Sequence, residues 1–245
     1  MNTIPKGFRI GTAAAGFRRP DRDDLALILS DVPATAAGVF TTNVFKAAPV
    51  LVAQSVLHGD TPVRGIVVNS GQANACTGDE GIENCCVSLA MVGQAVDCPA
   101  TSLIPLSTGI IGAPLKMDLW AQAVPQLVDS LGTKSGEDFT RAMMTTDAFP
   151  KFMPLSLNLA GGSVRLLGMA KGAGMICPNM ATMLSVVLCD ARIDADLWRE
   201  MFPHAVANTF NRVSVDGDTS TNDTVIGLAN GASGVVDSPQ EYPVL

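Results

Sequence analysis

Histidine is scarce in this sequence, which contains only His58 and His204 among its 245 residues. Neither lies in a pattern associated with catalysis, and we expect both to be surface or helix residues. A mechanism that depends on a histidine base, such as a Ser-His-Asp triad, is therefore not favoured. A hydroxyl nucleophile in this chain would need a base of another kind.

Runs of basic residues are also absent, and the formal net charge is −7. This balance argues against nucleic acids and anionic membranes as partners, because both attract clustered lysine and arginine. No stretch reaches about 18 uninterrupted apolar residues, the length that suggests a membrane span. The N-terminus has no apolar segment of the kind that marks a secretory signal. We therefore expect a cytoplasmic metabolic protein without a membrane partner.

Metal-ligand patterns are missing as well. The sequence has six cysteines, but none forms a CxxC pair and none has a histidine at ligand spacing. No metal site is therefore predicted, and disulfides are not expected in a cytoplasmic chain. Cys177 is a weak candidate nucleophile, because nothing nearby in the sequence supplies a base.

The residues that are present predict a substantial core. Hydrophobic residues make up 47% of the chain, enough for one large domain or two closely packed ones. Strands are predicted at residues 25–29, 36–41, 64–69, 164–169, 183–189, 212–215 and 225–229. Helices are predicted at residues 50–57, 84–96, 118–131 and 194–210, and at a segment capped by Ser135 and Asp138 that ends near Met144. This mixed order predicts an α+β fold built from layers.

The most informative segment is residues 171–184 (KGAGMICPNMATML), which places one hydroxyl residue between a glycine-rich turn and an apolar run. Its glycines permit backbone angles that other residues avoid and its proline fixes φ, so a sharp turn is predicted before Ala181. The apolar run has the composition of a strand buried on both faces. From this pattern alone, Thr182 is the first residue of a strand, a position that suits β-branched residues.

This segment resembles the self-cleavage motif of the ornithine acetyltransferases (glutamate N-acetyltransferases), KGxGMIxPNMATML, and agrees with it at every specified position. In that family the Ala-Thr bond breaks autocatalytically, and the new N-terminal threonine is the nucleophile. The resemblance thus implies cleavage between Ala181 and Thr182. It divides the chain into residues 1–181, an α chain, and residues 182–245, the start of a β chain. The new α-amine, with a reference pKa of about 7.7–8.0, can serve as the base for the threonine hydroxyl.

A second motif covers residues 107–112 (STGIIG), which by composition form a strand-to-turn corner. They resemble the family's STGVIG motif, whose threonine hydroxyl and glycine N–H form the oxyanion hole. These roles correspond to Thr108 and Gly109. Ile110 replaces the family's usual valine and leaves both donors in place.

Two further residues are implied to bind the substrate. Residues 144–151 (MTTDAFPK) can be a helix end followed by a proline, but they resemble the family's MTTDxxPK motif, in which the first threonine of the pair binds substrate. That role corresponds to Thr145. Lys171 is implied to bind the acyl-amino-acid substrate, since its ammonium can hold a carboxylate. Thr182 is implied to contact the substrate as well as to attack it.

Two other motifs are expected to have structural rather than chemical roles. Residues 69–78 (NSGQANACTG) resemble the family's NSGNANACTG and depart from it at Gln72. Residues 216–223 (DGDTSTND) are also a family motif and only partly match a calcium loop, because Gly227 occupies the position that needs a bidentate glutamate. We expect this segment to close the wall of the site, with its carboxylates held by local backbone N–H groups.

The resemblance extends over nearly the whole chain. It implies a layered αββα-type sandwich similar to the β-aminopeptidases, and an enzyme of arginine biosynthesis that moves an acetyl group from N-acetylornithine to glutamate through an acetyl-threonine. No cofactor is implied, although acetyl-CoA can be an additional substrate. The implied partners are these small molecules, together with the α and β chains of one precursor, assembled as a homo-oligomer of αβ units.

The principal departure lies at the end of the chain. Family members continue past Leu245 with a substrate-binding glutamate, an asparagine and a hydroxyl residue. Two alternatives therefore stay open: an amidohydrolase or aminopeptidase of the wider self-cleaving superfamily, and an inactive fragment or binding module. A further expectation is that the 245-residue chain by itself is not a fully active transferase.

Overall fold

The computed structural model describes residues 3–159, 161–174, 183–215 and 218–236. Within these ranges the chain forms eight strands and five α-helices. The strands are β1 (Phe8–Ala13), β2 (Leu25–Phe40), β3 (Val63–Gln72), β4 (Leu103–Ile110), β5 (Lys151–Leu159), β6 (Gly162–Lys171), β7 (Leu184–Cys189) and β8 (Thr224–Ala229). The helices are α1 (Ala48–His58), α2 (Gly78–Ala95), α3 (Met117–Asp129), α4 (Gly136–Met143) and α5 (Ala195–Asn208).

The strands form one mixed sheet in the order β4-β3-β2-β8-β7-β6-β5, with β1 paired to β2. The pairs β3–β4 and β7–β8 are parallel, and the others are antiparallel. Strand β2 belongs to both halves of the sheet, because its first part pairs with β3 and its last part with β8. A register shift between Leu29 and Ala34 separates the two parts, as expected where a strand bends.

The two halves of the sheet pack against each other and are covered by helices on their outer faces. Alternate residues of each strand point to opposite faces, so a strand can contribute to two apolar clusters. The inner cluster contains Ala26, Ile28, Ile66, Val68, Val186, Leu188, Ile226 and Leu228. One outer cluster joins Leu25, Leu27 and Val67 to α2 and α3, and the other joins Val225 and Ala229 to Trp198 and Phe202 of α5. The result is an α+β sandwich in which α2 and α3 cover one sheet layer and α5 the other, while α4 packs into the inner cluster. This arrangement confirms the predicted fold class.

Most predicted helices are present. The capping box was predicted correctly: the Asp138 N–H donates to the Ser135 side chain, and the Ser135 N–H donates to the Asp138 carboxylate. His58 lies at the end of α1, His204 lies in α5, and both are exposed as predicted. No helix in the described part of the chain is long and apolar enough to cross a membrane.

Several strand predictions were wrong. The two strands predicted at residues 25–29 and 36–41 are one continuous strand, β2. Residues 212–215 do not form a named strand; a 3-10 helix covers Phe210–Arg212, and Val213 and Val215 are exposed. Strand β5 was not predicted because it lies at the edge of the sheet with most residues exposed. Its Pro154 is tolerated there, since an edge strand needs fewer backbone donors.

Candidate active site

The ends of several strands meet at one edge of the sandwich. Because β3 and β4 are parallel, Thr108 lies opposite Ser70 and Gly109 lies opposite Gly71. In the other half of the sheet, Lys171 at the end of β6 lies opposite Leu184 at the start of β7. The predicted oxyanion-hole residues thus lie at a strand end in one half of the sheet, and the predicted substrate lysine lies at a strand end in the other half. Packing of the two halves can place these strand ends side by side.

A cavity of about 440 Å³ opens at these strand ends. The predicted residues Thr108, Gly109, Thr145 and Lys171 all line it, together with Arg18, Gly71, Ile110, Thr146, Gly174 and Asp218. Ala181 and Thr182 lie outside the described residues. The next residue, Met183, is described, and its N–H donates to Asp223 Oδ1 at 2.9 Å.

Lys171 links the two sheet halves within the site. Its side chain is buried, and its Nζ donates to Thr108 Oγ1 at 3.1 Å across 63 positions of sequence. An ammonium has donors only, so the Thr108 oxygen must accept this bond. The hydroxyl proton of Thr108 can then point elsewhere, which is the orientation that an oxyanion donor requires.

Two buried carboxylates influence the pKa of this lysine through their charges. Burial lowers the pKa of Lys171, and the charges of Asp147 and Asp223 oppose that shift. Burial by itself would raise the pKa of Asp147, but hydrogen bonds from Lys151 Nζ at 2.6 Å and the Gly172 N–H at 2.7 Å outweigh it, so this pKa is lowered. Burial raises the pKa of Asp223 to about 6, although backbone N–H groups donate to its carboxylate.

Gly109 has a backbone conformation that favours glycine. Its φ is +139°, and the opposite residue Gly71 has a φ of +111°. A Cβ added at Gly109 would lie 2.2 Å from the Gly71 carbonyl carbon and 2.5 Å from the Gln72 nitrogen. Glycine at this position therefore allows β3 and β4 to approach closely beside the Thr108 hydroxyl.

Gly109→Ala is expected to lower the free energy of unfolding by about 3 kcal/mol or more, because the added methyl group meets backbone atoms that cannot move aside easily. Gly112→Ala is the matched control, since Gly112 has a φ of +83° but a Cβ there meets nothing within 4 Å. Its cost should be only the backbone cost of about 1–2 kcal/mol. Urea unfolding of both variants measures the difference, and equal losses would contradict the steric argument.

Arg18 is a site residue that the sequence did not indicate. Its guanidinium donates to the Thr145 carbonyl at 2.7 Å. The loop that carries it is shaped by the buried carboxylate of Asp24, which accepts hydrogen bonds from the N–H groups of Ala15 at 2.8 Å and Arg18 at 3.2 Å. A single arginine in a charged stretch has the pattern of a solvated loop residue, so no local signal identified it.

Asp147, Asn222 and Asp223 were also not assigned individual roles. All three lie in the family motifs at residues 144–151 and 216–223, which is the signal that could have identified them. Asp223 accepts the expected local hydrogen bond from the Ser220 N–H at 3.2 Å, but it also accepts the distant one from Met183. This second bond connects the predicted site wall to the residue that follows Thr182.

Many known proteins are similar to this chain in sequence. The model of the ArgJ family matches residues 9–244. The arginine biosynthesis bifunctional protein ArgJ of Nitratidesulfovibrio vulgaris is 63% identical over 235 residues, which cover 96% of this chain and 60% of the relative. The corresponding protein of Thermosynechococcus vestitus is 46% identical over 231 residues, covering 94% and 55%. The chain thus spans a little over half the length of these relatives.

Solved structures show the same relationship. The ArgJ protein of Bacillus halodurans matches with a TM-score of 0.68 and 35% identity, covering 73% of this chain and 93% of that one. The ornithine acetyltransferase of Mycobacterium tuberculosis, solved with ornithine, matches with a TM-score of 0.67 and 37% identity, covering 74% and 94%. An aminopeptidase from Ochrobactrum anthropi, a variant of the Ntn hydrolase fold, matches at 12% identity and a TM-score of 0.56, and so shares the fold alone. Together with the motifs gathered around the cavity, the match over nearly the whole sequence shows that this chain belongs to the ArgJ family.

Proposed function

We propose that this chain carries the acetyl-transfer site of a glutamate N-acetyltransferase that uses N-acetylornithine as its donor in arginine biosynthesis. The observation that carries the proposal is the bond from buried Lys171 to Thr108 Oγ1, which orients a hydroxyl donor beside Gly109 at a cavity. That arrangement suits an anion developing on a carbonyl oxygen. The structure of the Mycobacterium tuberculosis relative with ornithine supports the substrate class.

In the proposed first half-reaction, cleavage of the Ala181–Thr182 bond has freed the Thr182 amine. This amine takes the proton from Thr182 Oγ, and the oxygen attacks the acetyl carbonyl carbon of N-acetylornithine. The Thr108 hydroxyl and the Gly109 N–H stabilise the resulting oxyanion, each contributing about 3–4 kcal/mol. Collapse breaks the C–N bond, ornithine leaves with the proton, and an acetyl ester remains on Thr182.

The second half-reaction reverses these steps with a different amine. The amino group of glutamate attacks the ester carbonyl, and the same two donors stabilise the oxyanion. The Thr182 oxygen then leaves and is reprotonated, which releases N-acetylglutamate and restores the enzyme. Lys171 has donors beyond the one used by Thr108, and Arg18 is a second cation at the cavity, so both can hold a substrate carboxylate while Thr145 contacts the substrate.

The proposal also specifies the cofactor requirement, the two chains, their assembly and their location. No cofactor takes part in the exchange, and acetyl-CoA is a possible second donor. Cleavage would yield chains of residues 1–181 and 182–245. These chains would stay associated because β7 and β8 of the second chain are hydrogen-bonded to β6 and β2, respectively, of the first. A homo-oligomer of αβ units and a cytoplasmic location complete the proposal.

The test follows acetyl transfer from N-acetylornithine to glutamate. With donor alone, denaturing mass spectrometry is expected to show an acetyl adduct on the piece that begins at Thr182, and adding glutamate should remove it as N-acetylglutamate. Equal loss of the adduct in water alone would favour the amidohydrolase alternative. Because the chain spans a little over half of its relatives, a version extended to their length is assayed beside it. Absence of transfer in both versions would overturn the proposal.

A further inference from the structure

Two consecutive buried residues, Asn222 and Asp223, lie just before β8 and have no part in the chemistry proposed above. Their exposed fractions are 6% and 1%. In the sheet order, β3, β2 and β8 lie between β4, which carries Thr108, and β7, which follows Thr182. No direct strand pairing therefore sets the distance between the oxyanion hole and the nucleophile.

Asn222 holds the oxyanion side of the site. Its Nδ2 donates to the carbonyl of Ser107 at 2.9 Å and to that of Ala73 at 2.6 Å. Its Oδ1 accepts a hydrogen bond from Thr221 Oγ1 at 2.7 Å, so the amide is fixed on both sides. Because Ser107 immediately precedes Thr108, this side chain fixes the backbone that carries the hydroxyl donor.

Asp223 holds the nucleophile side. Its Oδ1 accepts the Met183 N–H at 2.9 Å and its Oδ2 accepts the Ser220 N–H at 3.2 Å. Its own carbonyl accepts the Thr41 N–H at 2.8 Å, which secures this loop against the end of β2. Because Met183 immediately follows Thr182, the carboxylate fixes the backbone at the start of β7.

We propose that Asn222 and Asp223 together form a clamp that positions the Thr108–Gly109 oxyanion hole relative to the Thr182 nucleophile. The inference rests on the proposed function, to which it adds positioning residues rather than catalytic ones. The clamp acts on geometry, and a misplacement of about 1 Å at a reacting centre can lower a rate about 100-fold. Loss of the clamp should therefore lower the rate of self-cleavage and kcat, which depend on both the oxyanion hole and the nucleophile, more than it changes the KM for substrate.

The chain offers matched controls for both residues. Asp190 is 1% exposed and accepts hydrogen bonds from the N–H groups of Lys6 at 3.0 Å and Arg165 at 2.8 Å. Asn230 is 8% exposed, and its Nδ2 donates to the Lys6 carbonyl at 3.0 Å. These side chains make similar buried bonds to backbone, but to Lys6 and Arg165 rather than to the residues beside Thr108 and Thr182. Substituting them measures the general cost of losing such bonds.

The experiment compares Asn222→Ala and Asp223→Ala with Asn230→Ala and Asp190→Ala in the full chain. For each variant, the rate of cleavage at Ala181–Thr182, kcat, KM and the melting temperature are measured. The clamp variants should lose about 10- to 100-fold in cleavage rate and kcat with little change in KM, while the controls lose stability but keep both rates within about twofold. Asp223→Asn keeps an acceptor for Met183 and should recover much of the loss.

Equal rate losses in clamp and control variants, or a loss confined to KM, would overturn the clamp. A wild-type chain that neither cleaves nor transfers acetyl, at either length, would instead overturn the proposed function. In that case, amide hydrogen exchange tests the clamp independently of activity. Faster exchange at Met183 in Asp223→Ala, with no such change in Asp190→Ala, would support it, and unchanged exchange would refute it.

Discussion

Thr182→Ala is expected to leave one uncleaved chain with no measurable acetyl transfer. In the proposed maturation, the Thr182 hydroxyl attacks the Ala181 carbonyl, which moves the acyl group from nitrogen to oxygen before water breaks the ester. Without the hydroxyl neither maturation nor acetyl-enzyme formation can occur. The loss in kcat should approach the million-fold scale seen when a hydroxyl nucleophile is removed from a hydrolase. Denaturing mass spectrometry should show two pieces for the wild type, the second beginning at Thr182.

Thr182→Ser is the matched control for this prediction, because it keeps the hydroxyl and removes only a methyl group. It should cleave at the same bond and retain acetyl transfer. If the Thr182→Ala variant keeps its transfer activity, another residue is the nucleophile. The same conclusion would follow if wild-type preparations were active while the chain was uncleaved.

Thr108→Val should lower kcat by about 100-fold or more, which corresponds to about 2.7 kcal/mol of transition-state stabilisation. Valine keeps nearly the same volume but removes the hydroxyl that would donate to the oxyanion. It also removes the acceptor for Lys171 Nζ, so the structure adds an expected loss of about 1–3 kcal/mol in stability. The measurement is kcat on fully cleaved enzyme, with the free energy of unfolding determined in parallel.

Thr108→Ser is the matched control, since serine retains both the acceptor for Lys171 and the donor for the oxyanion. Its kcat and stability should stay close to those of the wild type. Maturation is followed separately, because the same oxyanion hole can assist self-cleavage. A normal kcat for Thr108→Val in fully cleaved enzyme would remove Thr108 from the catalytic site.

Local sequence was a reliable guide wherever neighbouring residues determine the structure. The Ser135–Asp138 capping box was predicted because both partners lie within one helical turn. The buried strand β7 was predicted from its apolar composition. Strand β2 was wrongly predicted as two strands. It continues through the register shift between residues 29 and 34 because its first part pairs with β3 and its last part pairs with β8. That pairing leaves no mark in the local pattern.

For the site, the sequence by itself determined the family, the candidate cleavage bond and the residue types suited to an oxyanion hole, because these lie in short contiguous motifs. Only the tertiary structure decided how the motifs meet: Lys171 bonds to Thr108 across 63 positions, and Asp223 bonds to Met183 across 40. The physical reason is that a buried charge or amide must find a partner wherever the packed layers place one. That choice depends on the three-dimensional arrangement of strands, which adjacent residues do not specify.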